Sequence, residues 1–288
     1  LLNVNLLDLE TINLGVFMLN DTEINELKEK GYFLKKSLFD KNEINSISEA
    51  FDSDENMKKH ANGYTDEDGK AVTHTLWNHP KDDIFGAFAR SERVVNTLEK
   101  FFDQEIYHYH SKIIWKRPGD GAFNWHQDYG YWYRNGCLFP DMASCTISID
   151  ASTSENGCLQ FLEGSHKLGR IEHMVVNQQE QADPQRVEEA KKVLDHKYLI
   201  TEPGDALFFH SNLLHRSDAN NSDKSRRSLI CCYNTKNNNP YKEHHHPRYT
   251  PLIKVPDNEV MNYTNKTTNS DEHFLRKDNV DQDWAKNK

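Results

Sequence analysis

The stretch Trp125-His126-Gln127-Asp128-Tyr129-Gly130-Tyr131-Trp132 holds an imidazole and a carboxylate two positions apart. On an extended strand, residues i and i+2 point to the same face. His126 and Asp128 can therefore grip one metal ion from a single strand, with a third ligand supplied from elsewhere. Periodicity leaves two histidines open for that role, His210 at the end of an apolar run and His215 a few residues later. Two imidazoles and one carboxylate on one face of an octahedron leave the opposite face free. That arrangement suits non-haem Fe(II) that must bind O2 and an organic acid together. Downstream, Ser225-Arg226-Arg227-Ser228 puts the Arg226 guanidinium and the Ser228 hydroxyl on one strand face. A buried guanidinium binds a carboxylate bidentately, and this pair fits the far carboxylate of 2-oxoglutarate. An exposed Arg pair bridged to Asp218 and Asp223 is the competing reading. The run His244-His245-His246 is the other metal candidate. Three consecutive imidazoles cannot all face one ion in regular structure, so a solvated run is expected there.

The elements that must position these groups change character near residue 105. Before it, helical spacing dominates. Asp21-Thr22-Glu23 opens a helix with Ile24 and Leu27 on one face, and Gly31 ends it. Tyr32-Phe33-Leu34 reads as a short strand. Asp40 and Glu43 form a capping box ahead of Ile44, Ile47, Ala50 and Phe51. Ser91 caps a third helix carrying Val94, Val95, Leu98, Phe101 and Phe102. Residues 52–83 are polar and read either as disordered or as a lid over a site, with 59–80 the expected lid. From 105 the period becomes two: Tyr107–Lys116 alternates, and further strands read at 144–150, 158–162, 197–201, 206–210 and 228–234. Breaks such as Glu155-Asn156-Gly157 and Glu202-Pro203-Gly204-Asp205 separate them. One helix interrupts over 185–196, with Val187, Ala190, Val193 and Leu194 on one side.

This pattern predicts a mainly β chain with helices (α+β), a jelly-roll or double-stranded β-helix barrel with N-terminal helices packed outside. The expected organisation is one catalytic domain over 1–288. It divides into an arm at 1–19, helical support with a lid at 20–104, a jelly-roll core at 105–236 and an extension at 237–288. His126 and Asp128 are expected at one strand's end, and His215 on a strand facing them across the barrel mouth.

Taken together, His126-x-Asp128, Glu155-Asn156-Gly157-Cys158-Leu159, Glu163-Gly164-Ser165-His166, Pro203-Gly204-Asp205-Ala206, His215 and Arg226 resemble the phytanoyl-CoA dioxygenase family over roughly residues 22–255. The resemblance is nearest to the branch that hydroxylates free proline and ectoine. It implies an Fe(II)/2-oxoglutarate-dependent dioxygenase with Fe(II), 2-oxoglutarate and O2 as cofactor and cosubstrates. The family places an Arg eleven residues after the distal His, which selects His215 over His210 and Arg226 over Arg227. By the same resemblance Lys112, Thr146 and His110 contact 2-oxoglutarate, although Gln often stands where this chain has His110. Trp132 lines the pocket, and Tyr129, Arg134 and Gln160 are expected substrate contacts, with Arg134 an anchor for a carboxylate.

The substrate implied is a small carboxylate or amino-acid-like molecule whose unactivated C–H is hydroxylated, desaturated or closed into a ring. An acyl-CoA is the alternative, as is a barrel that binds a metal or ligand without turnover. A net charge of −10 argues against a nucleic-acid surface and against steering of a polyanion. No dense basic stretch is present to meet CoA phosphates. Five cysteines without a Cys-x-x-Cys pair read as a reduced, cytoplasmic protein. No apolar run reaches the roughly 20 residues needed to span a bilayer, and the first eight residues lack a basic n-region. A monomer or weak homodimer is expected.

Overall fold

The computed structural model describes residues 18–176, 179–264 and 274–275. The expected arm lies outside these residues apart from Met18 and Leu19. Seven α-helices are seen among them: α1 (Asp21–Lys30), α2 (Lys41–Ser53), α3 (Glu55–Lys59), α4 (Ile84–Arg90), α5 (Glu92–Phe102), α6 (Asp128–Arg134) and α7 (Pro184–Lys191). The strands are β1 (Tyr32–Lys35), β2 (Asn62–Thr65), β3 (Ala71–Trp77), β4 (Ile106–Lys116), β5 (Phe123–His126), β6 (Met142–Ser148), β7 (Leu159–Leu162), β8 (His173–Val176), β9 (Gln179–Ala182), β10 (His196–Tyr198), β11 (Ala206–His210), β12 (His215–Ser217) and β13 (Arg226–Thr235).

A seven-stranded antiparallel sheet runs β1-β11-β6-β13-β4-β3-β2, and a four-stranded sheet runs β10-β7-β12-β5. The hairpin β8-β9 stands apart. The two sheets form the double-stranded β-helix, and the helices cover one face of the larger sheet. The reason is in the alternation. On β6 and β13, Cys145, Ile147, Leu229, Cys231 and Tyr233 join Ile47, Phe88, Val95 and Leu98 in one buried cluster. Each such side chain contributes about 1.5–3 kcal/mol by leaving water. The alternate residues of β13, Arg226, Ser228 and Ile230, face the interior and line a cavity there.

Local signals account for the helix ends. Asn20 and Glu23 form the capping box of α1, and Asp40 and Glu43 that of α2. Gly31 takes φ +83° at the end of α1, a left-handed conformation that glycine adopts without steric cost.

Three expectations are corrected. Residues 52–83 are not without structure: they carry α3 and the hairpin β2-β3, which pairs with β4 and widens the large sheet. The interrupting helix stops at Lys191, and Val193 is 77% exposed, because its apolar side is spent on Val187 and Ala190. β4 does not alternate throughout. Cys232 faces His110 and Tyr233 faces His108, so Tyr109 is an extra residue, a bulge. Beyond residue 237, Val255, Val260 and Phe274 are buried in the helical core.

Candidate active site

His126 is the last residue of β5. Gln127 is extended (φ −112°, ψ 133°), and Asp128 then opens α6. The i, i+2 geometry thus survives across a strand-to-helix junction and not along one strand. His215 begins β12, which pairs with β5 so that His215 lies directly opposite His126. The third group is therefore a strand neighbour and does not face the others across the barrel. His126 Nε2 and His215 Nε2 each lie 3.9 Å from Asp128 Oδ1, and the two rings are 4.1 Å apart. All three are buried, and their ligand atoms fall within 4.8 Å of one another.

The remaining hydrogen bonds decide which atoms face inward. His126 Nδ1 donates to the Asn124 carbonyl at 2.7 Å, and His215 Nδ1 to the Leu213 carbonyl at 2.9 Å. Each bond leaves Nε2 with its lone pair free for a metal. Ser144 Oγ donates to Asp128 Oδ2 at 3.1 Å, leaving Oδ1 turned to the imidazoles. Burial pushes both imidazoles below their ordinary range, and so keeps them neutral as ligands must be. These donors fit a divalent metal of the iron type.

Gln127, between the two ligands, is completely buried and ties the junction down. Its Nε2 donates to the Gly169 and Asn212 carbonyls, both at 2.8 Å, and its Oε1 accepts from Ile171 N at 2.7 Å. Its own N–H donates to His173 Nε2 at 2.9 Å. No feature of the local sequence marks this role, because the partners are 42–85 positions away.

Two cavities meet at the triad and share Lys112, Phe123, His126 and Asp128. The inner one, about 550 Å³, is lined by Thr146, Arg226 and Ser228 together with Lys112. Arg226 is 8% exposed, and Nε makes one long bond to the Asn156 carbonyl at 3.4 Å. It forms no ion pair among the described residues. Desolvation lowers its guanidinium to about 10. A buried, unpaired cation is costly, and a carboxylate entering this cavity would relieve that cost. Arg227 points the other way, into a bidentate pair with Asp150 at 2.8 and 2.9 Å.

The outer cavity, about 700 Å³, is lined by Trp132 and by Tyr131 from the same helix. His110 lines this outer cavity, beside Lys112, which lines both cavities. Three other expected contacts are turned elsewhere. Tyr129 Oη donates to the Cys137 carbonyl within a buried aromatic cluster. Arg134 is committed to Glu180 and to the His173 carbonyl. Gln160 bonds Asp218 and His196. His210, the competing ligand, packs on Phe101 and His166 and accepts from Asn212 N.

Tyr64, His74 and Leu76, from the segment expected to be a lid, and His245 and His246, from the run expected to be solvated, also line the outer cavity. The alternation of His74 and Leu76 on β3 was a usable signal. The histidine run gave none. His246 is not solvated: it is buried, bonded to Asn78 Oδ1 at 2.8 Å and stacked on His110 at 4.5 Å.

A metal held on one face, with room beside it for an organic acid, is the arrangement of the Fe(II)/2-oxoglutarate-dependent dioxygenases, and the chain is an enzyme of that class. Residues 27–228 match the phytanoyl-CoA dioxygenase family, and the chain belongs to it. It is similar to the L-proline trans-4-hydroxylase of Streptomyces griseoviridis, 26% identical over 212 residues, 66% of this chain and 76% of that one. It is also similar to the methylphosphonate hydroxylase of Gimesia maris, 36% identical over 129 residues, 44% of each chain. Among solved structures it resembles EctD from S. alaskensis with 2-oxoglutarate and 5-hydroxyectoine. That match has a TM-score of 0.69 at 16% identity, covering 85% of this chain and 89% of that chain. No helix among the described residues is long and apolar enough to cross a membrane.

Proposed function

We propose that this chain oxidises an unactivated C–H bond of a small carboxylate or amino-acid-like molecule, with His126, Asp128 and His215 holding the iron. The observation that carries the reading is the junction of two cavities at the triad, one of them holding the unpaired Arg226. Arg226 and Ser228 receive the far carboxylate of 2-oxoglutarate, while Lys112 and Thr146 bound the same space. Bound iron, with 2-oxoglutarate and O2, supplies the oxidising power for C–H cleavage. The chain's own part is positioning and exclusion of water. The Asn124 and Leu213 carbonyls fix the imidazole orientations, and Ser144 fixes the carboxylate. Trp132, Tyr131, Phe123 and Leu76 give the outer cavity apolar walls that keep a small substrate close to the metal. The named substrates of similar proteins, L-proline and methylphosphonate, are small and acidic, which supports the choice. Five unpaired, buried cysteines support a reducing compartment, the cytoplasm, and we take the chain to act as a monomer or weak homodimer.

Anaerobic Fe(II) titration in the presence of 2-oxoglutarate should give a weak visible charge-transfer band. A succinate-release screen over free amino acids, cyclic imino acids, phosphonates and acyl-CoAs, with product masses recorded, tests the substrate. A gain of one oxygen marks hydroxylation, and a loss of two hydrogens marks desaturation or ring closure. Absence of the band would sink the metal assignment, and turnover confined to acyl-CoA would sink the substrate assignment alone.

A further inference from the structure

The inner face of β4 carries His110 and Lys112 at i and i+2, and β3 lies alongside with Leu76 opposite Lys112 and His74 opposite Ile114. Lys112 is thus flanked by two imidazoles, His110 along its own strand and His74 diagonally across. All three side chains line the outer cavity. His110 is 4% exposed and His74 9% exposed, yet Nδ1 of each has no hydrogen-bond partner. Lys112 makes no ion pair among the described residues. The contrast with His108, two residues earlier, is direct. Its Nδ1 meets the Asn78 carbonyl at 2.9 Å and its Nε2 meets Ser111 Oγ at 2.7 Å. A histidine kept for packing is satisfied in that way. Buried polar atoms left unpartnered call for another explanation, and a functional role toward a bound group is one.

The cavity also states the sign of that ligand. Asp128 is the one carboxylate on its described lining, and it is turned to the metal position. The other polar groups are imidazoles, an ammonium, an amide, an indole and two phenols. A neutral imidazole presents one N–H and an ammonium three, so donors outnumber anionic acceptors. His246, stacked on His110 and held by Asn78, closes the wall behind the ring and fixes its plane.

We propose that the acidic group of the substrate, a carboxylate or a phosphonate, is received in the outer cavity by His110 and His74 on either side of Lys112. The two imidazoles are the residues that select an acidic substrate over its neutral counterpart. This rests on the functional reading above, because it places the substrate on the triad's outer side.

The test is calorimetric binding to the full chain loaded with Mn(II) and 2-oxoglutarate under anaerobic conditions. The probes are the free amino acids, L-proline against L-prolinamide, and methylphosphonate and 2-aminoethylphosphonate. At least one acidic probe should bind, and a carboxylate probe should bind at least tenfold more tightly than its amide. Whether carboxylates or phosphonates bind identifies the source of the acidic group. His110→Leu and His74→Leu should each weaken that probe at least tenfold, with 2-oxoglutarate affinity held within twofold. His110→Gln and His74→Gln, which keep a donor, should stay within about threefold of the unaltered chain. Equal binding of the amide, unchanged binding by both Leu variants, or no acidic probe bound would each overturn the inference. If 2-oxoglutarate itself fails to bind the Mn(II)-loaded chain, the functional reading falls and takes this one with it.

Discussion

Arg226 and Arg227 are adjacent in sequence and opposite in environment. Arg226 is desolvated among apolar and hydroxyl groups, whereas Arg227 is spent on Asp150 and Asp52. Truncating one partner of a desolvated charge pair costs on the order of 2–5 kcal/mol. Arg226→Ala should therefore raise the 2-oxoglutarate dissociation constant by roughly 30-fold or more, and Arg227→Ala should leave it nearly unchanged. Equal effects in a binding titration would mean that the cavity is assigned to the wrong face of β13. At this scale much was legible. His126 and Asp128 stand out by residue type and i, i+2 spacing, and Arg226 and Ser228 because strand geometry puts i and i+2 on one face. His215 was not separable from His210 by local pattern, since both follow the same apolar run.

The strand-to-helix junction is where the elements are joined. Gln127→Leu removes three side-chain hydrogen bonds to backbone groups of two distant loops, leaving those groups buried and unpaired. Each orphan costs about 1–3 kcal/mol, so a loss on the order of 3 kcal/mol or more is expected in urea unfolding. Metal affinity should fall with it, because the residues on either side are the ligands. Wild-type stability and metal affinity in this variant would show that the junction is held by something else. The capped helices α1 and α2 and the β11 and β13 strands were readable, since caps and alternation act within a few residues. The β4 bulge was not, because it is defined by the partner strand. The hairpin β2-β3 is also an element-scale matter. It sits at the sheet edge and brings Tyr64 and His74 to the outer cavity. We propose that it closes over bound substrate. Limited proteolysis within 59–80 should slow when Mn(II), 2-oxoglutarate and substrate are all present, and unchanged cutting would count against closure.

For the whole molecule, buried neutral histidines set the response to acid. Burial depresses His74 from 6.5 to about 3 and His173 from 6.5 to about 4. Both values are lower than in the unfolded chain, so the unfolded chain binds more protons as pH falls. Stability from these groups is full above about pH 6.5 and is lost below it, by about 1.4 kcal/mol per group per pH unit. Urea midpoints should be flat from pH 7 to 8 and fall steeply from pH 6 towards 4. His74→Leu should make that slope shallower by about one proton, and a slope unchanged by the substitution would place the titration elsewhere.

The sequence by itself determined the double-stranded β-helix, through alternation within its strands, and the chemical class, through short motifs that together resemble a known family. Only the tertiary structure decided what lines the substrate side. His74, His110 and His246 come from segments more than thirty positions apart, and no local period reports which of them share a cavity. The same holds for the surroundings of Arg134 and Gln160. Both are polar types at plausible positions, but the fold pairs Arg134 with the buried Glu180 and Gln160 with the half-exposed Asp218, and neither pairing is visible in the local sequence.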